Sequence, residues 1–214
     1  MSSVTQSTVV VRAPDVRIPG SLRDLETITV DLDSAKAELK QKLTFPKRIV
    51  VAGPDDLLAA VIARLMASER LDVEVAYVPT ENSHASSIYP PGDPLTGTPR
   101  AVPLIRDDRG FVLVGKAKIT GPDGGPLTGE TFVDSDKLFT GQAKAVIVEP
   151  FGAAGETGGV RARLAKGVRR RWLSGRAAQT GGLELVVTRD GRTDPSVVTR
   201  ATFYRNTDDW LLIS

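Results

Sequence analysis

The chain has 214 residues, with 28 Lys+Arg against 26 Asp+Glu, a single His and no Cys. Without cysteine it can form no disulfide, thiolate zinc site, iron–sulfur cluster or thiol nucleophile, and one His excludes a multi-His metal site. The near-balanced charge disfavours a protein built wholly around nucleic acid, and the length suits one large domain or two small ones. The opening residues, Met1 to Thr8, lack the basic-then-apolar pattern of a signal peptide. No uncharged apolar run nears the roughly 20 residues that span a bilayer. The expectation is a cytoplasmic protein, peripheral to a membrane at most.

In chain order, Thr8 to Arg12 (TVVVR) and Leu25 to Asp31 (LETITVD) read as strands. Asp33 and Ser34 then open a helix, AKAELKQKL, that ends before Pro46. KRIVVA is a buried-type strand leading into Gly53-Pro54-Asp55. In the next helix Leu57, Leu58, Val61, Ile62, Leu65 and Met66 form one apolar face. LDVEVAYV is the following strand. Strands alternating with helices imply a parallel sheet with right-handed crossovers. Residues 79–100, rich in Pro, Gly, Ser and Thr, mark a loop and a domain boundary.

Beyond that loop the grammar changes to hairpins. AVPLIRD and FVLVGKAKIT flank Asp108-Arg109-Gly110, and a second turn is Pro122-Asp123-Gly124-Gly125. ETFVD, AKAVIVEPF, LELVVTR, SVVTRATFY and DWLLI read as further strands. The expected fold class is α/β plus β: a three-layer-like α/β domain with a parallel sheet over 1–95, then an antiparallel β-sandwich over 96–214. One helix is expected to interrupt the strands, because Val160, Leu164, Val168 and Trp172 recur at four-residue spacing.

Three stretches carry chemistry-bearing residues. Gly53, Asp55 and Asp56 stand where a parallel strand meets a helix, the edge at which open α/β sheets bind ligands. Helix capping by Asp55 or Asp56 explains the same residues. Neither a G-x-G-x-x-G nor a G-x-x-x-x-G-K-[ST] motif is present. The loop Pro79-Thr80-Glu81-Asn82-Ser83-His84 lies at the same edge, and its polar side chains equally suit a plain exit loop. The third is a basic run, with Arg161, Arg163, Lys166, Arg169, Arg170, Arg171 and Arg176 and no acidic residue between Glu156 and Glu184. A basic amphipathic helix can lie on an anionic membrane, though a solvated surface helix has the same pattern. Carboxylate pairs at Asp107/Asp108, Asp134/Asp136 and Asp208/Asp209 read as solvated turn residues, and no spacing matches a metal loop.

The order of parts resembles the diacylglycerol kinase catalytic-domain family, the bacterial lipid kinases that include sphingosine-kinase-like enzymes. Gly53-Pro54-Asp55-Asp56-Leu57 stands where that family has GGDGT. Pro79-Thr80-Glu81-Asn82-Ser83-His84-Ala85 matches its P-x-G-T-x-N-D, and Asp190-Gly191-Arg192 matches a late Asp-Gly-Glu hairpin. The resemblance implies an α/β nucleotide domain followed by a β-sandwich lipid domain. It also implies ATP and Mg²⁺ as cofactors if the kinase reading holds, with transfer to a lipid hydroxyl. Gly53, Asp55, Asp56, Thr80, Asn82 and His84 would then face the nucleotide, with Asp190 near the lipid hydroxyl. Asp190-Gly191 is also a favourable hairpin turn, the preferred reading of it.

The departures change that expectation. Pro54 has no N–H for phosphate, and Asp56 adds a negative charge beside it. Glu81 replaces the glycine of the second motif, and Arg192 replaces a carboxylate that an arginine cannot imitate as a base. The first crossover helix is also missing between TVVVR and LETITV. The expected function is a divergent lipid-kinase-like pseudoenzyme with a degraded ATP site, binding a lipid, nucleotide or protein ligand in the inherited cleft. The alternatives are an active ATP-dependent lipid kinase, and a peripheral membrane or partner-binding module using segment 160–176 through Arg163, Lys166, Arg169, Arg170 and Arg171. Edge strands in the β half leave a homodimer open.

Overall fold

The computed structural model describes residues 8–80, 83–152, 158–165 and 171–214. The chain forms two compact units, Met1–Val102 with Asp208–Ser214, and Pro103–Thr207. The first begins with β1 (Thr8–Arg12), β2 (Glu26–Thr29), α1 (Ala35–Lys42), β3 (Arg48–Gly53) and α2 (Asp55–Met66). It continues with β4 (Glu74–Pro79), α3 (His84–Ile88) and β5 (Pro99–Val102). The second holds β6 (Ile105–Asp107), β7 (Val112–Leu113), β8 (Ala117–Thr120), β9 (Leu127–Val133), β10 (Asp136–Ala143) and β11 (Val146–Phe151). Then come β12 (Gly159–Leu164), β13 (Leu173–Gly175), β14 (Ala177–Arg189), β15 (Arg192–Thr193) and β16 (Val198–Arg205). The last strand, β17 (Trp210–Ile213), belongs to the first unit.

The first unit is an α/β domain around a sheet of order β2-β1-β3-β4-β17-β5. The pairs β1–β2, β1–β3, β3–β4 and β4–β17 are parallel, and β17–β5 is antiparallel. Every residue of β3 is buried, as expected of a parallel strand covered on both faces. Val10, Val50, Ala76 and Ile213 pack on one face with Leu22 and Leu25. Residues of the other parity, Val9, Val11, Ile49, Val51, Val75 and Tyr77, are buried too. In α2 the helical stripe Leu57, Leu58, Val61, Ile62 and Leu65 is fully buried. Each such side chain contributes about 1.5–3 kcal/mol of burial. Between β1 and β2 there is one 3-10 turn, Gly20–Leu22, and no α-helix.

The contiguous 1–95 and 96–214 division differs from this arrangement at both ends. AVPLIRD is not one strand: Pro103, which has no N–H for a ladder, separates β5 from β6. β17 returns to pair between β4 and β5, where Trp210 is buried against Tyr89 with ring centroids 5.5 Å apart. At the amino ends of the strands, Arg48 and Glu74 form a buried pair, Nε to Oε2 at 2.7 Å. Arg48 also donates to the carbonyls of Pro94, Leu95 and Gly97, so one guanidinium fastens that loop.

The second unit is an antiparallel β-sandwich. One layer runs β10-β9-β14-β16-β6-β7, and the other runs β13-β12-β11-β8-β14 with β15 beside β14. The long strand β14 serves both layers, with a register shift between Gly181 and Leu185 where it passes from one to the other. Sandwich corners are made by such bent, shared strands. Ile119, Val146, Val148, Val160, Ala162, Leu185, Val187 and Phe203 fill the core.

The expected helix near residue 160 is replaced by strands. β12 pairs antiparallel with β11 and with β13, setting Val160 opposite Gly175 and Ala162 opposite Leu173. Val160 and Ala162 are buried and Arg161 and Arg163 face the other way, a period of two. The four-residue recurrence included Val168, which lies outside the described residues. Pairing with β11, distant in sequence from β13, decides the local conformation.

Candidate functional site

The carboxyl ends of β3 and β4 bring several of the expected residues together. Pro54 is the N-cap of α2, with no side-chain cap hydrogen bond. Asp55 and Asp56 occupy the first helical turn, where negative charge complements the helix dipole. Neither is the cap residue that the sequence suggested. Asp55 instead reaches sideways: Oδ1 lies 2.8 Å from the Tyr77 hydroxyl, and Oδ2 accepts from the Ala85 N–H at 3.1 Å. The same Tyr77 hydroxyl is 3.1 Å from the Gly53 carbonyl and 3.5 Å from Ser83 Oγ, so its single proton is shared among these oxygens. Asp55 thereby ties the start of α2 to β4 and to the start of α3.

His84 is the first residue of α3. Ser83 caps this helix, with Oγ accepting from Ser86 N–H at 3.0 Å and Ser86 Oγ accepting from Ser83 N–H at 3.1 Å. Gly53 has a packing role: a Cβ there would lie 2.8 Å from Leu57 Cδ2, so the missing side chain lets α2 sit close on β3. Thr80 is exposed and lines an open groove of about 620 Å³ with Asp15, Val16, Arg17, Ile18, Pro19, Val78 and Pro79. Asn82 lies outside the described residues. Sequence reading missed Tyr77 and the 15–19 loop. A tyrosine inside an otherwise apolar strand was the available signal, because a buried phenol needs a hydrogen-bond partner.

Asp190 lies in the second unit, in the turn between β14 and β15. It has φ +47° and Gly191 has φ +88°, the left-handed pair of a type I′ hairpin turn. Its carboxylate accepts three backbone N–H groups: Val114 at 3.1 Å, Gly115 at 2.8 Å and Lys116 at 2.9 Å. Asp134 repeats the device, with φ +51° and a carboxylate accepting from the N–H groups of Arg176 and Ala177. Next to Asp190, the Arg189 guanidinium lies 2.5 Å from Asp107 and 3.2 Å from Asp194, with the Phe111 ring 5.0 Å away. Asp107, expected to be a solvated turn residue, is 1% exposed and also accepts from the N–H groups of Arg109 and Phe111. Burial alone would raise the Asp194 pKa. The Ser196 N–H and the cations Arg109 and Arg189 outweigh it and hold the carboxyl below its ordinary value.

Of the basic run, Arg161, Arg163, Arg171 and Arg176 lie among the described residues; Lys166, Arg169 and Arg170 do not. Arg161 bonds the buried Glu149, and both Arg161 and Arg163 stack on Trp172, at 4.4 and 4.8 Å from the ring centroid. Among the described residues no three His, Asp or Glu side chains converge as metal ligands, and no helix is long and apolar enough to cross a membrane.

No family model matches the chain, and no curated protein matches it in sequence. Solved structures do match over nearly the whole chain. An NAD kinase from Archaeoglobus fulgidus, in complex with ATP, has a TM-score of 0.59 at 10% identity, covering 97% of this chain and 93% of that one. A diacylglycerol kinase from Bacillus anthracis str. Sterne has a TM-score of 0.69 at 12% identity, covering 97% and 96%. The α/β unit and the β-sandwich together therefore have the fold of diacylglycerol kinase-like and NAD kinase-like proteins, the fold that the motif order implied.

Proposed function

We propose that this chain is a non-catalytic, ligand-binding protein built on the lipid-kinase fold. The observation that carries the reading is the disposition of Asp55. Its two oxygens are taken up by Tyr77 and Ala85, and it stands behind a proline and beside a second carboxylate. A triphosphate at that helix start would meet the added negative charge of Asp56 and no N–H from residue 54. Each carboxylate about 4 Å from a phosphate oxygen costs from about 1 to 4 kcal/mol, depending on solvent access. These residues do not suit Mg-ATP. Asp190 supports the same reading, because its carboxylate accepts three backbone N–H groups and so holds the 114–116 loop in place.

The ligand site in this reading is the groove of residues 15–19 and 78–80. Val16, Ile18, Pro19, Val78 and Pro79 give it apolar walls, and Asp15, Arg17 and Thr80 give it polar ends. Such a lining suits a small, largely apolar ligand oriented by a few polar groups. The test is labelled-phosphate transfer from Mg-ATP to a panel of lipid alcohols at high protein concentration. No transfer is expected. Transfer that disappears in Asp190→Asn and Asp55→Asn would establish an active lipid kinase instead.

A further inference from the structure

We propose that the outer face of the β8-β11-β12-β13 layer docks on an anionic phospholipid bilayer. The strand register builds this face. Lys118 of β8 and Arg163 of β12 both stand opposite Ile147 of β11, so the three lie in one row. In the adjacent row Arg161 stands between Glu149 and Ser174. Residues two apart on a strand share a face, so Arg161 and Arg163 point outward while Val160 and Ala162 enter the core.

The charges on this face do not cancel. Glu149 is the carboxylate of these rows, is only 3% exposed, and is bonded by Arg161. Lys118 is exposed and Arg163 is half-buried, which leaves two cations of these rows in surplus, and Arg171, next to Trp172 in the sequence, is exposed as well. Trp172 sits among them with both guanidiniums against its ring. An indole with cations around it matches the headgroup level of a membrane, where Trp and Arg place apolar bodies and polar tips at one depth. Each Lys or Arg near an anionic leaflet adds attraction that salt screens. A nucleic acid fits less well: the Trp172 ring is already covered by guanidiniums rather than free to stack a base, and the formal net charge is only +2. Lys166, Arg169 and Arg170 lie outside the described residues and are not needed for this face.

The full chain is sedimented with vesicles of phosphatidylcholine alone, and with vesicles in which about one quarter is phosphatidylserine. Binding is expected only to the second, and to weaken as salt rises. The variant Lys118→Gln/Arg163→Gln/Arg171→Gln should partition about a hundredfold less well. Two tryptophans are present and Trp210 is 1% exposed, so Trp172 reports in the unmodified protein. Its emission should shift to the blue on phosphatidylserine vesicles and be quenched by brominated lipid. The proposal is overturned by no binding to phosphatidylserine vesicles, by undiminished binding of the variant, or by binding without Trp172 quenching. Binding of a duplex oligonucleotide in place of vesicles would equally overturn it.

Discussion

Asp55 and Asp190 keep the aspartates that the kinase resemblance implies, one in each unit, and they are held in different ways. Asp55 is bound by one side-chain hydroxyl and one backbone N–H, at the start of a regular helix. Asp190 is bound by three backbone N–H groups and has a left-handed backbone itself. The difference separates two tasks that look alike in sequence. A carboxylate held by a loop's N–H groups fixes the path of that loop. One held by a side chain fixes the spacing of two elements and can be released by a single substitution elsewhere.

The largest expected effect is therefore at the backbone-held group. Asp190→Ala should destabilise by about 3 kcal/mol, because three N–H groups lose a charged acceptor and the turn loses a residue tolerant of positive φ. Asp190→Asn, which keeps one acceptor and the same tolerance, should cost about 1 kcal/mol. Urea unfolding measures both, and a negligible effect of the alanine variant would break the contrast with Asp55.

Next is Asp194, held by the cations Arg109 and Arg189 and by the Ser196 N–H. Asp194→Asn should cost about 2 kcal/mol at neutral pH, since it leaves buried guanidinium charge less compensated. The folded pKa lies below the ordinary 3.8, so the carboxylate stabilises the fold above that value. That contribution is lost as pH falls through the lower folded pKa. The gap between wild type and variant should stay constant above about pH 5 and close on acidification. A gap that persists unchanged in acid would show that the charge is not its source.

Smaller again is Tyr77→Phe, which removes the hydroxyl from Asp55 and should cost about 1 kcal/mol. In a double-mutant cycle with Asp55→Asn the two changes should be non-additive by about 0.5 kcal/mol or more. Strict additivity would mean that Tyr77 does not act through Asp55. The smallest effect concerns Glu38, whose pKa is lowered to about 2 by Lys42 and then Ser34. Lys42→Gln should return it toward the ordinary 4.5 in an NMR titration while leaving the unfolding midpoint in place.

Much of the first unit was legible because its signals are local. The β3 run of buried residues and the α2 stripe each announce themselves within one element. The short helix α3 was not, since its capping box of Ser83 and Ser86 lies inside a loop-like stretch. In the second unit the Asp190-Gly191 turn was legible from turn chemistry, but its partners are 74–76 residues away in the chain. The return of β17 to the first sheet is equally non-local. The segment from Val160 to Trp172 carries the four-residue recurrence that predicts a helix. Only the ladder with β11 made the alternation of Val160, Arg161, Ala162 and Arg163 decisive. At the site, Asp55 was found by its position after β3, whereas its hold on Tyr77 and Ala85 depends on where β4 and α3 end.

On the proposed function, the carboxyl edge of the first sheet no longer holds a triphosphate. Calorimetric titration of the purified chain with Mg-ATP and Mg-ADP is the decisive test. The expected result is no saturable heat up to millimolar nucleotide. Saturable binding that is lost in Asp55→Asn would contradict the claim and return an ATP-dependent lipid kinase as the leading function.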